Sequence, residues 1–124
     1  MEYVLSYYEE KKLLENHDIT SLLFKKFRLN ILSNKEIVLN IVKYDGYYLK
    51  YVDKKFKRNK KIVYESVKNY NRGYNEIFDY ADEELKSDKE FILKLIKEGY
   101  ESIYPYINED LKMDRDYTLK ILFI

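Results

Sequence analysis

Residues 33–43 (SNKEIVLNIVK) recur as RNKKIVYESVK at 58–68, as SDKEFILKLIK at 87–97 and, less closely, as MDRDYTLKILF at 113–123. Each later copy follows a second shared phrase: YVDKKFK at 51–57, YADEELK at 80–86 and YINEDLK at 106–112. Copies that start at 33, 58, 87 and 113 are spaced by 25, 29 and 26 residues. A near-constant period in this range is the signature of a stacked repeat protein. Repeats of this kind specify a scaffold, so they say much about the fold and little about function beyond binding.

Each copy opens like a helix. Ser33 and Ser87 are placed to cap first-turn amides, with Glu36 and Glu90 three residues on, as in a capping box. In the second copy Asn59 is the expected cap, and Lys61 stands where the glutamate would be, which makes a weaker start. Apolar residues then fall at Ile37, Val38, Ile41 and Val42, at Ile62, Val63 and Val67, and at Phe91, Ile92, Leu95 and Ile96. Steps of three and four set them on one helical stripe, and the alternation by two that strands need is absent.

The glycines, Gly46, Gly73 and Gly99, each follow one of these helices and are expected as left-handed stops. A second, shorter helix is then expected to carry Leu49, Tyr51 and Val52, or Ile77, Phe78 and Tyr80, or Ile103, Tyr104 and Ile107. Asp53, Asp82 and Asn108 would cap a tight turn that returns Phe56, Leu85 and Leu111 to the core. Pro105 falls inside the third short helix and is expected to shorten or kink it, because it lacks an N–H.

A unit of this size cannot bury its stripe alone, and stacked neighbours solve that. The fold class expected is all-α, a short α-solenoid of about four two-helix repeats of roughly 26 residues. One domain spans 1–124: a divergent first or capping unit at 1–32, repeats at 33–57, 58–86 and 87–112, and a truncated last repeat at 113–124. In the first unit Phe27, Leu29 and Ile31 lead into the first good copy, and Asp18 or Thr20 is the expected cap. Residues 69–74 lengthen one connection. The apolar run 119–124 must pack on this chain or on a partner.

The tandem phrase itself is familiar: a tyrosine, an acidic turn and a closing lysine, then a cap, an apolar pair and VK or IK. It resembles the family catalogued as domain of unknown function 4116 over residues 31–123. The resemblance implies a helical tandem-repeat module found in bacterial and protist proteins, and it implies no activity. The second copy departs from the pattern at Arg58 and Lys61, where a polar cap and an acid are expected. Both departures add positive charge.

Charge is unevenly spread along the chain. Residues 50–72 hold nine bases against Asp53 and Glu65, while 75–116 hold thirteen acids against six bases, so the net +1 hides two poles. The basic segment suggests an acidic protein surface or, second, nucleic acid as partner, with neighbouring tyrosines such as Tyr47, Tyr51 and Tyr70 available to stack on bases. The partner-binding residues expected are Lys54, Lys55, Lys57, Arg58, Lys60, Lys61 and Tyr64. A solvated face in a lysine-rich chain competes with this. Lys, Asn, Ile, Tyr, Phe and Met dominate as in AT-rich coding, and 19 Lys against 4 Arg argues against bidentate phosphate recognition.

No catalytic residue, metal ligand or cofactor is expected. The chain has no Cys and a single His, His17, so the usual catalytic constellations cannot be assembled, and the acidic run 82–90 lacks EF-hand spacing. Without an export signal or a long apolar run, a soluble cytoplasmic or intracellular protein is expected. The functional expectation is a non-catalytic protein-binding module or adaptor working through one face of the stack. The alternative is a basic-surface inhibitor or regulator of a nucleic-acid-handling complex.

Overall fold

In the computed structural model, which describes residues 35–71 and 73–124, each of the first three copies of the repeat folds as three helical segments in a fixed order. The long helices are α1 (Lys35–Tyr44), α3 (Lys60–Lys68) and α5 (Lys89–Lys97). Each is followed by a 3-10 helix: η1 (Gly46–Tyr51), η2 (Glu76–Tyr80) or η3 (Glu101–Tyr106). A helix of about one turn completes the unit: α2 (Lys54–Lys57), α4 (Glu83–Lys86) or α6 (Glu109–Met113). The fourth copy contributes one long helix, α7 (Arg115–Leu122). No strand occurs among the described residues, so the chain is all-α there.

The stripes of the long helices point inward. Val38, Val42, Val63, Val67, Ile92 and Leu95 are buried, together with Leu49, Phe78 and Ile103 from the 3-10 helices. Phe56, Leu85 and Leu111 return to this core from the one-turn helices, as their spacing predicts. The 3-10 helices close on bonds from three residues back, from Val52 to Leu49, Ala81 to Phe78 and Ile107 to Tyr104. Pro105 does not shorten η3, which has six residues like η1. It lies exposed near the end of that segment, where one missing N–H costs little.

Hydrogen bonds tie one copy to the next. The Asp82 amide donates to the Lys57 carbonyl at 2.9 Å, and one repeat later the Asn108 amide donates to the Lys86 carbonyl at 2.9 Å. Between η2 and η3 the Ser102 hydroxyl oxygen accepts from the Asn75 amide (3.2 Å) and side chain (2.6 Å). η1 packs on η2 and η2 on η3, while α1 packs on α3. The lysine that ends each shared phrase also has a structural task. Lys57, Lys86 and Lys112 reach back seven residues, to the Lys50 carbonyl, the Asp79 carboxylate and the Pro105 carbonyl.

Two local readings are corrected. The cap of α5 is Asp88, whose carboxylate accepts from the Phe91 amide at 3.0 Å, and not Ser87. Ser87 is taken up as the C-cap of α4, because the third helical segment of the preceding unit runs to Lys86. Only Gly99 acts as the expected helix stop. At φ +99° it lets Gly99 and Tyr100 donate to Ile96 and Leu95. Gly73 (φ +96°) turns the connection several residues past the Asn69 cap, and Gly46 is not left-handed. Ser33, the unit at 1–32 with its residues Phe27, Leu29 and Ile31, the caps at Asp18 or Thr20, His17 and Arg72 lie outside the described residues.

Candidate functional site

Helices α3 and α5 are the long helices of consecutive copies, and a groove of about 500 Å³ runs between them. From α3 it takes Lys60, Lys61, Tyr64 and Glu65; from α5 it takes Glu90, Phe91 and Lys94. On each helix these residues recur at steps of three or four, the spacing that makes one face. Asn59 fixes the start of α3 by accepting from the Ile62 amide at 3.1 Å, and Asp88 fixes α5 in the same way.

Tyr64 lines the groove and reaches from α3 to residues of the facing copy. Its hydroxyl donates to the Glu98 carboxylate at 2.9 Å, and the Lys94 ammonium lies 4.7 Å from its ring centroid. The bond to Glu98 raises the Tyr64 hydroxyl above the usual phenol range, with burial adding to it. At one end Lys60 pairs with Asp88 at 3.2 Å. The Asp88 carboxyl is held below the usual carboxylate range first by the Phe91 amide, with Lys60 contributing. Lys61 is exposed on the groove rim.

The seven expected residues therefore divide. Lys60, Lys61 and Tyr64 come together in the groove. Lys54 and Lys55 stand exposed on α2, with the Lys55 ammonium 5.0 Å from the Phe56 ring, and Arg58 is the exposed C-cap of that helix. Lys57 is half-buried and engaged with the Lys50 carbonyl; burial lowers its pKa, and Lys54 adds to that. The tyrosines near the basic segment are mostly core. Tyr48 is buried, Tyr47, Tyr51 and Tyr70 pack half-buried against the core, and Tyr74 is exposed.

Sequence reasoning missed Lys94, Phe91 as a lining residue, and the acids Glu90 and Glu98. The available signal was register. Tyr64 and Lys94 occupy the seventh and eighth positions of adjacent copies, so stacking brings them to the same level. Among the described residues no group of three or more His, Cys, Asp or Glu side chains is placed to hold a metal ion. No helix there is long and apolar enough to cross a membrane.

The sequence model of the family described as Domain of unknown function (DUF4116) matches twice in tandem, at residues 34–77 and 71–112. The chain belongs to this family. The two DUF4116 matches together span α1 to α6, so the groove between α3 and α5 lies within the DUF4116 repeats. No curated protein and no solved structure matches the chain.

Proposed function

We propose that the DUF4116 repeats stack as a short α-solenoid and work as a non-catalytic protein-binding module, holding an acidic segment of another protein in the α3–α5 groove. The observation that carries this reading is the groove's composition: the aromatic side chains Tyr64 and Phe91 line it together with the cations Lys60, Lys61 and Lys94. An aromatic anchor with a charged rim is the usual anatomy of a specific protein interface. Glu65 and Glu90 interrupt the positive charge, which suits a segment of mixed sequence better than a uniform phosphate backbone.

The test is capture from a nuclease-treated native lysate by the parent chain and by the Lys61→Glu/Lys94→Glu variant. The expected result is a protein retained by the parent after nuclease treatment and lost from the variant. Capture that disappears with nuclease, or a steep fall in binding to RNA with rising salt, supports the nucleic-acid reading instead. Equal capture by parent and variant removes the groove from consideration.

A further inference from the structure

Two bonds cross the α3–α5 groove. Lys60 of α3 pairs with Asp88, the N-cap of α5, at 3.2 Å, and the Tyr64 hydroxyl donates to Glu98, the C-cap of α5, at 2.9 Å. A rod lying lengthwise between the two helices would have to ride over both. Helix α5 is also short for such a rod, because its nine residues span only about 14 Å.

The open direction is across α5. Glu90 and Lys94 of the groove also line a second hollow, of about 440 Å³, with Leu93, Lys97 and Glu98. Phe91 in the groove and Leu93 in this hollow stand two residues apart, hence on opposite flanks of the helix. The two hollows meet at Glu90 and Lys94 and together lead over α5 from one flank to the other.

We propose, building on the acidic-segment reading above, that the bound segment runs across the long helices in the polyproline II conformation, with an apolar residue at every third position and acids between. Helix spacing sets the period. Packed helices lie about 8–10 Å apart, and a polyproline II turn of three residues advances about 9 Å. One apolar residue per turn thus meets each copy at the same position. That position is the seventh of the repeat, where Leu39, Tyr64 and Leu93 are all half-buried and leave part of an apolar surface to solvent. The cations for the acids are Lys61, Lys94 and Lys97, all exposed. A β-strand fits less well, because its side chains alternate and every third one points away.

Selection of displayed random twelve-residue peptides on the full chain, followed by fluorescence anisotropy of the best binder, tests the proposal. The selected peptides are expected to carry apolar residues three apart with Asp or Glu between them. Leu93→Ala/Lys97→Glu should weaken the best binder roughly tenfold, and Lys61→Glu/Lys94→Glu at least as much. Lys97 is exposed, so Lys97→Glu alone repeats the measurement if the double variant fails to fold. Loss with Lys61→Glu/Lys94→Glu but not with the Leu93 and Lys97 changes overturns the crossing path and leaves the groove reading intact. So do peptides whose apolar residues follow the mixed three-and-four spacing of a helix. A selection without binders, binders without acids, or binding unmoved by Lys61→Glu/Lys94→Glu removes the groove reading and the crossing path together.

Discussion

The Ser66 hydroxyl donates to the Gly46 carbonyl across 2.7 Å, and the Ser66 carbonyl fills the space where a Gly46 side chain would stand. A Cβ at Gly46 would lie 1.8 Å from that oxygen. Gly46 and Ser66 are both buried, and the Gly46 amide donates to the Asn69 carbonyl, so backbone meets backbone where η1 joins α3. Glycine is required here by contact rather than by conformation.

Gly46→Ala is therefore expected to cost about 3 kcal/mol or more, because neither backbone can retreat without losing bonds. Ser66→Ala should cost about 1 to 2 kcal/mol, the loss of one buried hydrogen bond. Urea denaturation of the two variants measures both. A Gly46→Ala change smaller than that of Ser66→Ala would contradict the close approach.

Ile92 is fully buried on α5, within the core shared by the copies. Ile92→Ala should cost about 2 to 5 kcal/mol by denaturant titration, the range for opening a cavity that cannot collapse. Leu93, half-buried on the same helix, should tolerate Ala at a clearly smaller cost. Equal losses at the two positions would mean that the helix face is misassigned.

The stripe on which Ile92 lies is legible in the sequence because helical burial repeats every three to four residues and the copies confirm one another. The role of Gly46 is not. It depends on Ser66, twenty residues away, and a glycine after a helix reads locally as a left-handed stop. The choice between Ser87 and Asp88 fails for a related reason. Both residue types cap helices well, and what decides is that α4 extends to Lys86 and takes Ser87 at its own end. The groove was half legible. Lys60, Lys61 and Tyr64 share one helix face, whereas Lys94 and Glu98 join them only once the copies stack.

The corrected cap has a consequence for pH. Asp88→Ala should cost about 1 kcal/mol and Ser87→Ala clearly less. Asp88→Asn keeps an acceptor for the Phe91 amide and loses only the charge. Because the folded Asp88 carboxyl is held below its ordinary value, its contribution is present above that value and is lost as pH falls through the folded value. Stability of the parent should thus decline below about pH 4, and the Asp88→Asn variant should show a shallower decline over the same window. Parallel acid limbs would remove Asp88 from the account.

The structure separates the basic residues of the second copy into two groups, and binding should separate them too. Lys54 and Lys55 are exposed on α2, outside the groove lining, whereas Lys61 and Lys94 line the groove beside the Tyr64 ring. With a partner segment bound in the groove, Lys61→Glu/Lys94→Glu should weaken binding at least roughly tenfold. Lys54→Glu/Lys55→Glu should act only through long-range attraction, so its effect should shrink as salt shortens the screening length. Tyr64→Phe keeps the ring under Lys94 and removes only the bond to Glu98; it should bind nearly as the parent does. Tyr64→Ala removes the aromatic anchor and should fail. Titration calorimetry of the captured partner against the four variants at two salt concentrations makes the comparison. If Lys54→Glu/Lys55→Glu is the more damaging pair at high salt, the partner sits on α2 and the groove between α3 and α5 is not its site.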